Sequence, residues 1–194
     1  MTDRRTQIAD AGIHILSSRG ARALTHLNVD RELGLAQGST SYYARTRRDL
    51  IALIVNRLAE RTAEEVLAEV RAAEVEVEDM RDLAVLAARG LAQTERRADD
   101  HRARFLLLLE CRSDPELYGV LLRKTSVREH FTRVVVSILE RMNVAEADAR
   151  GADFAALLDA LLMQRIARDA PADEGAIIFS FLSGLPRVGA SSRK

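Results

Sequence analysis

The sequence predicts an all-α fold, and three observations support that prediction. The 194 residues include only three prolines. Apolar residues recur at the three- and four-residue spacing of helix faces along most of the chain, and no run of alternating β-branched residues indicates a strand. Hydrophobic residues make up 47% of the chain and charged residues 30%, as in an ordinary globular protein. We therefore expect about nine helices, arranged as a three-helix head followed by a C-terminal bundle.

The head begins with a helix that ends at Gly20 and has one apolar face, formed by Ile8, Ala11, Gly12, Ile15 and Leu16. Thr25 is placed to cap the second helix, whose inward residues are Val29 and Leu33. Gly34 supplies a left-handed turn residue, and a short third helix is predicted from Gln37 to Ala44. Two short helices joined by a glycine turn are typical of a helix-turn-helix, whose second helix enters the DNA major groove.

The rest of the chain predicts longer helices. Thr46 and Asp49 resemble a capping box that starts a fourth helix, whose apolar stripe comprises Leu50, Leu53, Ile54, Leu58, Val66, Leu67 and Val70. Further helices are predicted over 79–94, 102–112, 152–168 and 173–185. Another helix is predicted to start at Pro115, and it could break near Thr125 or Ser126. Its apolar residues are Phe131, Val134, Val135 and Leu139. The segment FLLLLEC, apolar all round, predicts a centrally buried helix.

Charge separates the head from the remainder of the chain. Residues 1–48 hold eight arginines and four acidic residues, a balance of +4, so that residues 49–194 carry −4 in a chain of zero net charge. A basic head on an acidic body is expected when only the head approaches phosphate. We accordingly predict a helix-turn-helix DNA-binding domain over residues 1–48, a C-terminal helical domain over 49–188, and a disordered tail over 189–194.

Side chains in and beside the third helix have the chemistry that DNA recognition needs. Base edges could be contacted by Gln37, Ser39 and Thr40, and phosphates by Thr25, His26, Tyr42, Tyr43, Arg45, Arg47 and Arg48. A second interpretation stays open at this stage. Tyr42 and Tyr43 could be half-buried structural aromatics, with the arginines forming a solvated face.

The segment from about Ile8 to Leu53 resembles the N-terminal DNA-binding domain of the tetracycline-repressor (TetR) family of bacterial regulators. The resemblance is carried by Gly20, Thr25, Val29, Gly34, Gly38, Tyr43, Arg47 and Leu50. Four positions depart from the family pattern. Ser41 stands where many members have Tyr, and Ala44 replaces a Phe. Ala36 replaces a Ser cap, at an expected cost of about 1 kcal/mol, and Asp30 replaces a small residue, which we expect to place an unfavourable charge near DNA.

The resemblance implies a homodimeric repressor that binds an inverted-repeat operator in double-stranded DNA and is released by a small-molecule effector held in the C-terminal domain. Two C-terminal segments too apolar for one-sided burial agree with a subunit interface, or else lie deep inside the monomer. The candidate interface residues are Phe154, Leu157, Leu158, Leu161, Leu162, Ile177, Ile178, Phe181, Leu182 and Leu185. Candidate effector contacts are Leu83, Phe105, Leu109, Phe131 and Met163, with Glu110 and Arg112 as polar anchors. Taken singly, each is better explained as plain core, and their common origin in the central helices is the reason to name them together.

Enzymatic chemistry is not indicated. The four histidines are scattered, Cys111 has no activating neighbour, and no phosphate-binding glycine loop occurs. We therefore predict no catalytic residue, metal or cofactor. The sequence shows no signal peptide or membrane span, which favours a cytoplasmic protein. The alternative to a DNA-binding regulator is a helical adaptor whose head contacts another protein.

Overall fold

The structure is a computed structural model that describes residues 3–122, 126–168 and 172–189, with the side chains of residues 62–76 and 126–130 left outside that description. Ten α-helices lie in these ranges: α1 Arg4–Arg19, α2 His26–Glu32, α3 Ser39–Tyr43, α4 Arg47–Glu76, α5 Met80–Gln93, α6 Ala98–Glu110, α7 Pro115–Leu122, α8 Ser126–Arg141, α9 Ala147–Arg168 and α10 Glu174–Ser183. The all-α prediction is confirmed. The helix predicted from Pro115 is described as α7 and α8, on either side of residues 123–125, which lie outside the described ranges, so ten helices are described instead of nine.

The chain forms two compact units, each assembled from two stretches of sequence. The first contains residues 1–63 and 97–123, and the second contains residues 64–96 and 124–194. The three head helices thus share a unit with the start of α4 and with α6 and α7. The division predicted at residue 48 concerns function, and it stays a prediction.

In the first unit, α1 buries the face that the sequence predicts. Ile8, Ile15 and Leu16 are fully buried, and Gly20, at φ +79°, ends the helix. Gly12 allows a close approach to α4, because a Cβ atom at this position would lie 2.4 Å from Cδ1 of Ile54. The spacing of apolar residues in α1 therefore identified the core of this unit correctly.

An ionic network ties α1, α4 and α6 together inside the first unit. Arg61 contacts Asp10 at 2.9 Å and Asp100 at 2.7 Å. Arg97 donates to the same Asp100 carboxylate at 2.6 Å and to the Arg61 carbonyl at 2.7 Å. Asp100 is only 5% exposed, so its charge is balanced by two guanidinium groups instead of water.

The expectation that α6 is buried on all sides is wrong. Ala103 and Leu107 are fully buried, but Leu109 is 77% exposed. The helix packs against α1 on one face, and part of its apolar remainder faces solvent within the described monomer. A run of leucines identifies a helix with more than one apolar face, but it does not show how many of those faces are covered.

The second unit is built around α5, α8, α9 and α10. Phe154 is fully buried and stacks on Phe181 with ring centroids 6.0 Å apart. Arg165 of α9 makes two hydrogen bonds, of 2.8 and 2.7 Å, to the buried carboxylate of Glu174 at the start of α10. These contacts hold the last two helices against the same core.

Two boundaries in this unit differ from prediction. α9 begins at Ala147 instead of residue 152, because Gly151 lies inside the helix, where a Cβ atom would come within 2.7 Å of Val136. Gly151 therefore permits close packing of α8 and α9 and does not break the helix. α10 ends at Ser183, two residues before its predicted end, and Asp173 caps its start by accepting from the Ala176 amide at 2.9 Å.

Some predictions fall outside the described residues, namely the inward direction of Val66, Leu67 and Val70, the possible break at Thr125, and residues 190–194 of the predicted tail. Over the described ranges, no helix combines the length and the apolar character that a membrane span requires.

Candidate nucleic-acid interface

The turn between α2 and α3 is built from local signals. The Asn28 amide donates to Thr25 Oγ1 at 3.2 Å, so Thr25 caps α2 as predicted. Gly34 and Gly38 have φ values of +62° and +93°, in the left-handed region that favours glycine. Helix α3 begins at Ser39, two residues after the predicted start at Gln37. The left-handed backbone of Gly38 cannot belong to an α-helix, so it sets this boundary.

Four side chains of the α3 region face solvent. Gln37, Ser41 and Arg45 are exposed, and Tyr42 is 83% exposed. Ser39 is half-buried, and its hydroxyl donates to the Ala36 carbonyl at 2.7 Å. Tyr43 is half-buried against the first core and meets Tyr42 edge to face at 5.1 Å. The structural interpretation of the two tyrosines thus suits Tyr43, whereas Tyr42 is free to contact a partner.

Thr40 points into the protein. It is fully buried, and its hydroxyl donates to Asp30 Oδ1 at 2.6 Å, so it is not available to a base edge. Asp30 is 1% exposed, and the expectation that it places an unfavourable charge near DNA is wrong. Its carboxylate also accepts from the amides of Gly38 and Thr40 at 2.7 and 2.8 Å. Burial by itself raises the pKa of Asp30, but the hydrogen bonds from Thr40 and Gly38 outweigh it and lower that pKa.

Arg47 and Arg48 pair with acidic residues of the same unit. Arg47 donates to the carbonyls of Leu24 and Ala21 and to Glu110, the last at 2.5 Å. Arg48 donates to Asp114 at 2.7 Å and to Glu116 at 2.6 Å. The Asp114 carboxylate, followed by Glu116, holds the pKa of the Arg48 guanidinium above its ordinary value. Both arginines therefore join the start of α4 to α6 and α7.

The remaining predicted contacts divide between structural and exposed roles. His26 is half-buried, and its Nε2 donates to the Ala44 carbonyl at 2.7 Å. Thr25 is exposed. The predicted box at Thr46 and Asp49 is confirmed, with reciprocal hydrogen bonds of 2.9 and 3.1 Å.

Sequence reasoning missed Ser41, Arg22 and Arg31 as exposed members of the basic head. Within the described ranges, the guanidinium groups of Arg22, Arg31 and Arg45 make no hydrogen bond or ion pair. Ser41 lies inside α3 between Thr40 and Tyr42, and its small polar side chain could have been included in the predicted recognition set. No local signal distinguishes the unpaired arginines from the paired ones.

The apolar candidates for a dimer interface split into two groups. Phe154, Leu161, Ile178, Leu182 and Leu185 are buried in the second unit. The others keep accessible surface: Leu157, Leu158, Leu162 and Phe181 are half-buried, and Ile177 is 39% exposed. Only the second group exposes apolar surface that a partner subunit could cover.

The five effector candidates belong to two different units. Leu83 is buried in the second core, where Phe131 packs against the same residues, whereas Met163 is 46% exposed. Phe105 and Leu109 belong to the first unit. Of the two polar anchors, Glu110 pairs with Arg47 and Arg112 is exposed.

An open groove of about 510 Å³ runs between α5 and α10, with small and apolar residues such as Ala84, Ala88 and Phe179 in its lining, and it contains none of the five effector candidates. Arg81 and Arg89 also line this groove, and the Arg81 guanidinium lies 5.0 Å from the centre of the Phe179 ring. Across the described residues, no three His, Cys, Asp or Glu side chains are placed to hold a metal ion.

Comparison with known proteins identifies the family. The sequence profile described as "Tetracyclin repressor-like, C-terminal domain" matches residues 78–185. No curated protein matches the sequence.

Three solved structures have the same fold over nearly the whole chain. A TetR family member from Streptomyces coelicolor A3 is 23% identical, with a TM-score of 0.66 over 94% of this chain and 97% of that one. The multidrug binding protein EbrR, complexed with imidazole, is 24% identical, with a TM-score of 0.65 over 100% of both chains. The transcriptional regulator FadR from Bacillus subtilis, in complex with stearoyl-CoA, is 16% identical, with a TM-score of 0.64 over 93% and 96%. Since the profile spans more than half of the sequence, the chain belongs to the tetracycline-repressor-like (TetR) family of transcriptional regulators.

Proposed function

We propose that this chain is a DNA-binding repressor that binds an inverted-repeat operator as a homodimer and releases it when a small-molecule effector binds. The observation that supports DNA binding best is the solvent-facing set of side chains on α3 and directly before and after it. Gln37, Ser41 and Tyr42 are exposed beside Arg45, whose guanidinium has no partner among the described residues.

Each of these side chains has a role suited to duplex DNA. The Gln37 amide can pair in two places with an adenine edge, and the Ser41 hydroxyl can donate to or accept from a neighbouring base. Tyr42 and Arg45 can donate to phosphates on either side, which fixes the orientation of α3 in the groove. Thr25 and the exposed Arg22 are placed near the start of α2, where backbone amides also favour phosphate. Thr40, Arg47 and Arg48 leave the proposed contact set because their polar groups are already bonded.

A homodimer is proposed from the accessible apolar surface of α9 and α10. Leu157, Leu162, Met163, Ile177 and Phe181 keep exposed area although both helices belong to one well-packed unit. Two copies of α3 can enter successive major grooves only when they lie about 34–36 Å apart. An effector that favours another distance between the two α3 helices would release DNA. The coupling free energy between effector binding and DNA binding is typically about 1–3 kcal/mol.

The chemical class of the effector is proposed from the structural relatives. EbrR was solved with imidazole, proflavin and malachite green, and FadR with stearoyl-CoA. Proflavin, malachite green and stearoyl-CoA have large apolar surfaces, which imidazole lacks, and we propose that this chain binds an organic molecule of the former kind. A rise in the unfolding temperature with malachite green or stearoyl-CoA, measured without DNA, tests the two classes separately.

DNA binding is tested by selecting duplexes from a random library with the full-length protein and measuring the affinity of the enriched duplex against salt. We expect an enriched inverted repeat and a steep loss of affinity with rising salt. Tyr42→Ala should weaken binding at least about tenfold. Arg45→Ala should also reduce the salt slope, which is the slope of the logarithm of the binding constant against that of the salt concentration, by about one per subunit. Arg48→Ala should retain that slope, because its guanidinium binds Asp114 and Glu116.

Arg141→Ala provides a matched control, since Arg141 is exposed on α8 and outside the proposed surface. If the wild-type protein enriches no duplex and shows no salt-dependent DNA binding, the repressor proposal is wrong and the adaptor alternative is favoured. Sedimentation of Ile177→Glu, which should be monomeric, tests the dimer separately. Val188→Glu serves as its control because Val188 is 69% exposed and lies beyond α10.

A further inference from the structure

We propose that His26 and Asp30 of α2 act as positioning residues that fix the orientation of the recognition helix α3 by holding both of its ends. This inference rests on the proposed DNA-binding function and adds two residues that do not touch the DNA. The two side chains lie four residues apart, so they occupy the same face of α2.

The first part of the argument is that α3 cannot hold its own conformation. It spans only five residues, Ser39–Tyr43, and its N-cap is Gly38, which has no side chain to satisfy the first amides. Ala36 offers no hydroxyl either. Isolated helices of this length are unstable, and unsatisfied N-terminal amides destabilise them further.

The second part is that Asp30 supplies the missing acceptors. Oδ2 accepts from the Gly38 amide at 2.7 Å, and Oδ1 accepts from both the amide and the hydroxyl of Thr40 at 2.8 and 2.6 Å. Asp30 and Thr40 are 1% and 0% exposed, so water does not compete for these bonds. Hydrogen bonds to a buried carboxylate are among the stronger ones in proteins and have a narrow geometry.

The third part concerns the other end of α3. His26 Nε2 donates to the carbonyl of Ala44, directly after the last helical residue, at 2.7 Å. Between residues 36 and 45, only Thr40 and Ala44 are buried, and Tyr43 is half-buried against the first core. This packing lies toward the end of α3, so we infer that the polar contacts from α2, above all those at its start, fix the angle and rotation at which Gln37, Ser41 and Tyr42 are presented.

α2 is itself a firm support for this arrangement. Val29 is fully buried, Thr25 caps the helix, and the Asn28 side-chain amide donates to the Ala23 carbonyl at 2.7 Å. The Asp30 carbonyl also accepts from the Leu35 amide at 2.8 Å, which fixes the turn that leads to α3.

The test compares Asp30→Ala, Asp30→Asn and Thr40→Val with the wild type on two duplexes, the one enriched by the wild-type protein and a random one of equal length. We expect Asp30→Ala to lose at least about tenfold in affinity for the enriched duplex and little for the random one, because nonspecific binding depends on charge alone. Asp30→Asn keeps one acceptor oxygen, and Thr40→Val keeps the shape of the side chain. Both variants should therefore have affinities for the enriched duplex between those of the wild type and Asp30→Ala.

Two further variants separate positioning from general stability. Glu32→Ala removes another carboxylate of α2, one that pairs with Arg19 and not with α3. This variant should keep the wild-type preference for the enriched duplex. Ala36→Ser in the Asp30→Ala background supplies a hydroxyl that can accept from the Gly38 amide two residues on, and it should recover part of the lost preference without any direct DNA contact. A ¹⁵N spectrum reports the same bonds without DNA, because the amide signals of Gly38 and Thr40 should move most in Asp30→Ala.

The outcomes distinguish the inference from the function on which it depends. If the wild-type protein enriches no duplex, DNA binding itself is wrong and the inference fails with it. If the wild type discriminates between the duplexes and Asp30→Ala discriminates equally well, the positioning role alone is overturned. Unchanged amide signals of Gly38 and Thr40 in Asp30→Ala would contradict the hydrogen bonds directly.

Discussion

His101 should make the stability of this protein depend on pH in a range where few other groups titrate. It is 9% exposed, and its Nε2 is buried without a hydrogen-bond partner in the part of the chain that the structure describes. Burial, followed by the positive charges of Arg97 and Arg104, lowers its pKa from 6.5 to about 4, although Asp100 acts in the opposite direction. The folded protein therefore keeps this imidazole neutral at a pH where the unfolded chain protonates it.

The direction of the effect follows from proton linkage. Between pH 6.5 and 4 the unfolded state binds more protons at His101 than the folded state, so acid favours unfolding. The stability that the protein has with His101 neutral is fully present above pH 6.5, and it is lost progressively as the pH falls towards 4. A pKa displaced from 6.5 to about 4 corresponds to about 3 kcal/mol at about 1.4 kcal/mol per pKa unit.

Urea denaturation followed by circular dichroism, at fixed protein concentration and at several pH values from 4.5 to 7, measures this dependence. His101→Leu should remove most of it, and it should unfold no more easily than the wild type at pH 7, since the buried unpartnered nitrogen is gone. His14→Leu is the matched control, because His14 is exposed. Its removal should leave most of the slope of the free energy of unfolding against pH. If His101→Leu retains the wild-type slope, the burial argument is wrong.

Two further predictions concern packing and buried charge. Gly12→Ala should lower the free energy of unfolding by about 1–3 kcal/mol, because the new Cβ overlaps the buried Ile54 side chain; a Gly12→Ala, Ile54→Ala double mutant that is no better than additive in urea denaturation would contradict this. Glu174→Ala should cost about 3 kcal/mol by leaving Arg165 without its buried partner. Glu95→Ala, which removes a carboxylate 72% exposed and 3.8 Å from the same Arg165, should cost less than about 1 kcal/mol. Equal losses in the two glutamate variants would refute the role of burial.

The features that the sequence predicts correctly are those decided within a few residues. Gly20 ends α1, Thr25 caps α2, and Thr46 and Asp49 bond reciprocally at the start of α4. In each case the donor and acceptor, or the turn and its glycine, are close in the chain, so residue type and spacing determine the structure. The apolar face of α1, and that of α4 as far as Leu58, follow for the same reason.

Long-range pairing decides what the sequence leaves open. Arg47 meets Glu110 and Arg48 meets Asp114, partners 63 and 66 residues away along the chain. A charge count over residues 1–48 includes these arginines but omits the carboxylates that neutralise them. The basic surface proposed to meet DNA is consequently smaller than the count of +4 suggests, and it rests on exposed arginines without a carboxylate partner among the described residues, such as Arg5, Arg22, Arg31 and Arg45.

Apolar periodicity has a similar limit in the last two helices. It identifies which residues of α9 and α10 avoid water, but a monomer core and a subunit interface satisfy the same pattern. Phe154 and Ile178 are buried within their own unit, while Ile177, one residue from Ile178, is 39% exposed. The candidate interface is therefore narrower than the apolar stripe and lies along one edge of it.

The positions at 30 and 36 show why departures from a family pattern should be judged together. Considered one at a time, Ala36 loses a cap and Asp30 adds a charge, and both changes are unfavourable. In the structure the Asp30 carboxylate accepts from the amides of Gly38 and Thr40, which lie at the end of α3 that the missing cap would have served. The two departures then amount to one change, the transfer of the cap from the turn to the preceding helix. Because that helix is anchored in the core through Val29, the transferred cap also fixes the direction of α3. A hydroxyl at residue 36 could accept from the Gly38 amide two residues on, but it would not link α3 to α2.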